Sequence, residues 1–60
     1  RRQLLVPTDR VASVGQLDVV CVVENGVAVR RFVRLGKAAG DDYVEVVAGL
    51  REGDQVLPVP

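Results

Sequence analysis

Histidine, methionine and tryptophan are absent from this 60-residue chain, and cysteine, phenylalanine and tyrosine occur once each. Without histidine, neither a Ser–His nor a Cys–His nucleophile pair can form. A lone cysteine leaves no second thiol for a disulfide or a zinc site. We therefore predict no catalytic residue, no metal, no cofactor and no enzymatic activity. The carboxylates lack the alternating ligand spacing of a calcium loop, so we interpret the following as solvated turn residues: Asp41, Asp42, Glu45, Glu52 and Asp54.

The chain also lacks a charge of one sign and a long apolar run. Formal net charge is zero, which removes the general electrostatic attraction to nucleic acid or to an acidic membrane. The charges are nevertheless split, because residues 1–37 carry seven basic and three acidic side chains whereas 38–60 carry one and five. No apolar run approaches the roughly 18 residues that a membrane-spanning helix needs, and we find no signal peptide.

What the sequence does have is valine and turn-forming residues. Hydrophobic residues make up 48% of the chain, which is enough for one small core and argues against disorder. A β-hairpin is predicted where the apolar run Val19–Val23 is followed by Asn25-Gly26 and a second β-branched run over 27–35, because Asn and Gly tolerate the positive φ of a type I′ turn. The first arm has no polar alternation, so we expect a central strand covered on both faces, with Cys21 a buried hydrophobe.

The second arm of this hairpin alternates imperfectly. Arg31 falls in the otherwise apolar register of Val27, Val29, Val33 and Leu35. We expect either a bulge near Arg30-Arg31 or a strand that leaves the sheet edge halfway along.

The remaining chain contains short strands between turn signals. Before the hairpin, we predict a strand at Gln3–Val6 that Pro7 ends, a turn or single helical turn over 8–14 and a connector over 15–18. After the hairpin, we predict a loop over 36–42 and a strand at Tyr43–Ala48 with Val44, Val46 and Ala48 inward. A turn over 49–54 and a last short strand over 55–59 complete the chain. The predicted fold is all-β, a small antiparallel β-roll or barrel of four to five short strands with at most one short helical turn.

One patch suggests binding. Arg30 and Arg34 flank Phe32 on one face of the second arm, and a cation–aromatic–cation ladder is suited to gripping a protein partner or stacking bases. The alternative is an exposed strand whose charges discourage aggregation. Arg51 and Glu52, in the turn before the last strand, are further candidates for partner binding.

Several motifs, in order and spacing, resemble the periplasmic adaptor (membrane fusion protein) family of bacterial efflux pumps of the resistance-nodulation-division type. They are Leu4-Leu5-Val6-Pro7, Asn25-Gly26, Arg31-Phe32-Val33-Arg34-Leu35-Gly36, Val44-Glu45-Val46 and, the most specific, Gly49-Leu50-x-x-Gly53-Asp54-x-Val56. The resemblance covers nearly the whole chain and falls on the family's C-terminal, membrane-proximal domain.

The resemblance implies a single-domain fragment of a longer adaptor, with an incoming strand over 1–7 and the membrane-proximal β-roll over 8–60. It implies a non-catalytic, periplasmic domain associated with the inner membrane, which docks the adaptor onto its transporter and supports export. Expected partners are that transporter and other adaptor protomers, with no nucleic acid and with any membrane anchor outside these residues. The alternative function is a small β-barrel that binds single-stranded nucleic acid through Arg30, Phe32 and Arg34.

Overall fold

The computed structural model describes residues 3–59 of the chain. It contains six strands and one short 3₁₀ helix, in the order β1 (Leu4–Pro7), the 3₁₀ turn (Thr8–Arg10), β2 (Ala12–Val14), β3 (Leu17–Glu24), β4 (Val27–Ala39), β5 (Tyr43–Ala48) and β6 (Val56–Leu57). All pairings are antiparallel. The predicted all-β antiparallel class and the single helical turn are confirmed, with six strands in place of four to five. Arg1, Arg2 and Pro60, at the ends of the predicted incoming strand and β-roll, lie outside the described residues.

The predicted central hairpin is β3–β4. Asn25 (φ 52°) and Gly26 (φ 78°) form its tip, as a type I′ turn requires. The register runs without interruption from Glu24↔Val27 to Asp18↔Val33. Because there is no shift beside Arg31, the bulge predicted near Arg30-Arg31 is wrong.

Strand β4 is longer than predicted and changes partner along its length. It pairs with β3 up to Val33 and with β5 from Arg34 onward, so it does leave β3 halfway along, but it joins β5 instead of leaving the sheet edge as predicted. The irregularities lie between Arg34 and Leu35 and between Leu35 and Ala38. The strand continues to Ala39, so the loop predicted over 36–42 is wrong and only residues 40–42 turn. Gly36 lies in the strand, and a Cβ there would clash with the side chains of Glu45 and Val47 of β5.

Strands β2 and β3 form a second hairpin that the sequence does not predict. Val14 pairs with Leu17 around Gly15-Gln16, and Gly15 has a φ of 63°, the geometry expected of glycine at the first central position of a type II′ turn. The connector predicted over 15–18 is therefore a tight turn and the start of β3. The turn predicted over 8–14 is confirmed only for Thr8–Arg10.

The strand order is β1-β5-β4-β3-β2, and β6 also pairs with β3. Pro7 is the last residue of β1, one position beyond the predicted end. A proline, which has no backbone N–H to donate, is tolerated there because β1 pairs only with β5 among the described strands. Strand β6 is shorter than the predicted 55–59 segment. Strand β5 has the predicted bounds, although Ala48 is exposed rather than inward.

The core is small and consists of valines. The side chains less than 9% exposed are Val6, Val19, Val20, Val22 and Val46. They come from β1, β3 and β5, and Val22 is fully buried. The central position of β3 is confirmed, but the expectation that both faces are covered is only partly right. Cys21 is half-buried, so its predicted place in the core is wrong.

Candidate docking surface

The face of β4 that carries Arg30, Phe32 and Arg34 points outward, and all three residues are exposed. Phe32 is 60% exposed, an unusual position for a large apolar ring. Successive side chains of a strand alternate between faces, so this set lies opposite to Arg31. The structure thus brings together three of the five residues that the sequence analysis named as candidates.

Cross-strand pairing extends this face over the neighbouring strands. Phe32 pairs with Val19, which pairs in turn with Ala12, and Arg30 pairs with Cys21, which pairs with Leu57. Directly paired residues share a face of a sheet. We call this face the outer face and define it by the following residues: Ala12, Val14, Leu17, Val19, Cys21, Val23, Ala28, Arg30, Phe32 and Leu57.

Much of the outer face is apolar and exposed, although Val19 is buried and Cys21 is half-buried. Leu17 is 55% and Val14 is 49% exposed, in addition to Phe32. Val14 and Leu17 are direct cross-strand partners, and clustered exposed apolar side chains mark interaction sites more often than scattered ones do. Arg30 is the only charged residue in this set, and Arg34 follows Phe32 on the same side of β4.

A groove runs along the outer face beside β2 and β6. Its volume is about 240 Å³, and its lining includes Ala12, Val14, Val19, Cys21, Leu57 and Val59, with Arg10 and Arg30 beside them. Arg10 donates from Nη1 to the carbonyl oxygen of Val56 at 2.6 Å, which fixes its guanidinium beside β6. The sequence does not predict this groove, because the groove depends on β2, which lies in the segment predicted as a turn.

Arg31 lies on the opposite face and has a structural role. Its guanidinium forms an ion pair with Glu24, at the end of β3. It forms a second ion pair, at 2.7 Å, with Asp54 in the turn before β6. The hydrogen bond to Glu24 is the main cause that raises the pKa of Arg31 above its ordinary value, and Asp54 adds to it. An arginine in the apolar register is therefore accommodated by two carboxylates rather than by a bulge.

The turn over 49–54 shows why the motif Gly49-Leu50-x-x-Gly53-Asp54 has its glycines and its aspartate at these positions. Gly49 has a φ of 100°, and a Cβ there would overlap the carbonyl oxygen of Phe32 and lie 2.9 Å from the Cα of Val33. Gly53 also has a positive φ, of 96°. Asp54 accepts a hydrogen bond through Oδ2 from the backbone N–H of Arg51 at 2.8 Å. The motif thus builds a tight turn seated against β4.

The same contacts set the charge state of Asp54. The backbone N–H of Arg51 is the largest cause that lowers the pKa of Asp54, and the Arg31 guanidinium acts in the same direction.

Arg51 and Glu52, the other two predicted candidates, are not brought onto the outer face. Arg51 lines an open cleft of about 450 Å³ with Arg31, Gly49, Leu50 and Asp54. Glu52 is exposed in the same turn. Both residues therefore belong to a surface around the 49–54 turn, separate from Arg30, Phe32 and Arg34.

The remaining ionisable residues are dispersed. Among residues 3–59, no group of three or more histidine, cysteine or acidic side chains is arranged to hold a metal ion. In the same part of the chain no helix has the length and apolar character needed to cross a bilayer. Comparisons with models of known protein families, with curated proteins and with solved structures found no match.

Proposed function

We propose that this chain is a non-catalytic docking domain that binds another protein through its outer face. The observation that carries the proposal is the exposure of Phe32 between Arg30 and Arg34, on a face that also exposes Val14 and Leu17. Aromatic and arginine side chains are enriched at protein interfaces, where buried anchors of these types supply most of the binding energy.

The resemblance of the sequence motifs to periplasmic adaptors supplies the partner in this proposal. The domain docks a periplasmic efflux adaptor onto its inner-membrane transporter, with neighbouring adaptor protomers as further contacts, and thereby supports transmembrane export. The form of the 49–54 turn agrees with such a role, because a turn seated against β4 and tied by Asp54 gives β4 a rigid support. A rigid support lowers the entropic cost of presenting a docking face.

Site-specific photocrosslinking in the cells that produce the chain tests the proposal. The photoreactive residue p-benzoylphenylalanine is placed at position 32, or at position 27 as a control, because Phe32 and Val27 are each 60% exposed but lie on opposite faces of β4. We expect position 32 to yield an adduct with an integral inner-membrane transporter, identified by mass spectrometry, and position 27 to yield little. Equal adducts from both positions, or none with a transporter from position 32, would refute the proposal.

Single-stranded nucleic-acid binding is the second candidate, and the exposed ring of Phe32 between two arginines favours it. Two observations weigh against it. The net charge is zero, and Tyr43 lies on β5, away from the outer face, so the described part of that face offers a single stacking ring. Fluorescence anisotropy with a labelled oligothymidylate tests it, and tight binding that weakens steeply with salt would favour it over docking.

A further inference from the structure

The groove beside β2 and β6 is suited to a particular kind of partner segment. Its floor and walls are aliphatic, from Ala12, Val14, Val19 and Leu57, with the thiol of Cys21 among them. Small-molecule sites usually have about 300–1,000 Å³, so a groove of about 240 Å³ is better matched to a few side chains than to an organic ligand.

The charges beside the groove have one sign. Arg30 and Arg10 both line it, and no acidic side chain does. Arg10 is held by Val56, whereas the guanidinium of Arg30 makes no hydrogen bond or ion pair with any residue in 3–59.

The nearby carboxylates point elsewhere. Asp18 and Glu24 alternate with the outer-face residues of β3 and so belong to the opposite face, where Glu24 is engaged by Arg31. Nothing among the described residues therefore neutralises Arg30 across the groove, and charge complementarity calls for an acidic occupant.

We infer that the groove binds a peptide segment of the docking partner in which aliphatic side chains alternate with acidic ones. The inference rests on the proposed docking function and specifies the chemistry of the partner. Aliphatic side chains enter the groove between Val14 and Leu57, and a carboxylate pairs with Arg30. An anionic membrane is the less favoured occupant, because the groove is concave and the chain has no net positive charge.

Binding is measured with the 60-residue chain and a short synthetic peptide of alternating glutamate and leucine, with peptides of alternating lysine and leucine or glutamate and serine as controls. Chemical-shift changes in a heteronuclear NMR titration locate the site. We expect the glutamate–leucine peptide to shift the amides of Val14, Cys21 and Leu57, and each control peptide to bind at least about tenfold more weakly.

Matched variants test the location. Val14→Asp introduces a carboxylate at a 49% exposed valine in the groove, and Val47→Asp does the same at a 44% exposed valine on β5. We expect Val14→Asp to weaken binding about tenfold and Val47→Asp to leave it within about twofold. Arg30→Glu, at an exposed position that cannot disturb the core, weakens binding about fivefold or more at low salt.

Three outcomes would overturn the inference. They are equal binding of the glutamate and lysine peptides, shifts centred on the 49–54 turn, and binding of the chain to anionic phosphatidylglycerol vesicles but not to the glutamate–leucine peptide. If one of these occurs while crosslinking at position 32 still captures the transporter, the docking function stands and only the groove assignment fails.

Discussion

Arg31 of β4 donates from Nη1 to Oδ2 of Asp54 at 2.7 Å, across 23 residues of sequence. The same Oδ2 accepts the backbone N–H of Arg51, so one carboxylate oxygen joins the middle of the longest strand to the turn that leads into β6. This contact supports β4 from the face opposite to Arg30, Phe32 and Arg34. The proposed docking face and its support are therefore the two sides of one strand.

Replacing Asp54 by Asn is expected to destabilise the fold. The substitution keeps the shape of the side chain but removes the charge that pairs with Arg31. We expect a lower midpoint of urea unfolding with an unchanged slope, because the native structure is retained. Asp41→Asn, at an exposed turn residue, is the control and should leave the midpoint near that of the unchanged chain. Equal midpoints for the two variants would contradict this account.

The hydrogen bond from Arg51 and the ion pair with Arg31 make the contribution of Asp54 to stability depend on pH. The folded-state pKa of Asp54 is lowered from its ordinary value of 3.8, so its contribution is fully present above the unfolded-state pKa and is lost as the pH falls through the lower folded-state pKa. Arg31 has a raised pKa and stays charged throughout this range.

Urea midpoints measured from neutral pH down to below the ordinary pKa of aspartate test this dependence. They should fall on acidification, and the fall should be smaller for Asp54→Asn. A variant that loses stability as steeply as the unchanged chain would exclude Asp54 as a cause.

Gly49→Ala is expected to be among the most damaging single substitutions in this chain. The residue has a φ of 100°, and an added Cβ would overlap backbone atoms of β4 that cannot move without disturbing the ladder. We expect a loss of about 3 kcal/mol or more in the free energy of unfolding, or no folded protein. Gly40→Ala provides the comparison, because its φ is 72° but no atom lies within 4 Å, and it should lose only about 1 kcal/mol. Equal losses, measured by urea unfolding, would refute the close approach at Gly49.

The small core makes individual valines important. Val22 is fully buried, so Val22→Ala removes two methyl groups from the core and should lower the free energy of unfolding by about 2 kcal/mol. Val27→Ala, at a 60% exposed position of the same hairpin, should change it by less than about 0.5 kcal/mol. Similar losses at the two positions, measured by thermal or urea unfolding, would contradict the assigned core.

The rate at which thiol reagents label Cys21 tests whether Arg30 places a positive charge at the groove. Its half-buried side chain lies directly across the ladder from Arg30, so an anionic thiol reagent should be attracted to it more than a neutral one. We expect Arg30→Gln to slow labelling by the anionic reagent 5,5′-dithiobis(2-nitrobenzoate) about severalfold at low salt, and to change labelling by iodoacetamide little. The same slowing for both reagents would show that Arg30 does not act on Cys21 through its charge.

The sequence was most informative where structure depends on near neighbours. Asn25-Gly26 determined the central hairpin because few residue pairs accept positive φ at both central positions of a turn. Tyr43–Ala48 was predicted with correct bounds because its alternation is uninterrupted. The outward placement of Arg30, Phe32 and Arg34 followed from the same two-residue period.

The features that the sequence does not predict depend on contacts between residues that are distant in the chain. Strand β2 has three residues and no pattern of its own, and it exists because β3 offers it a ladder. Gly36 begins the segment that the sequence predicts as a loop, yet it lies within β4, where Glu45 and Val47 of β5 occupy the space that a side chain would need. From the sequence, Arg31 indicates either a bulge or a strand that leaves the sheet edge, because its partner Asp54 lies 23 residues away.

The sequence by itself therefore determined an antiparallel β fold, its main hairpin and the face on which Arg30 and Phe32 lie, because backbone turn preferences and side-chain alternation are local properties. Only the tertiary structure decided that Arg31 supports the fold and that Arg30 lines an apolar groove. Those roles depend on which strands are neighbours, and an ion pair or a groove between strands leaves no periodic signal in the chain that forms it.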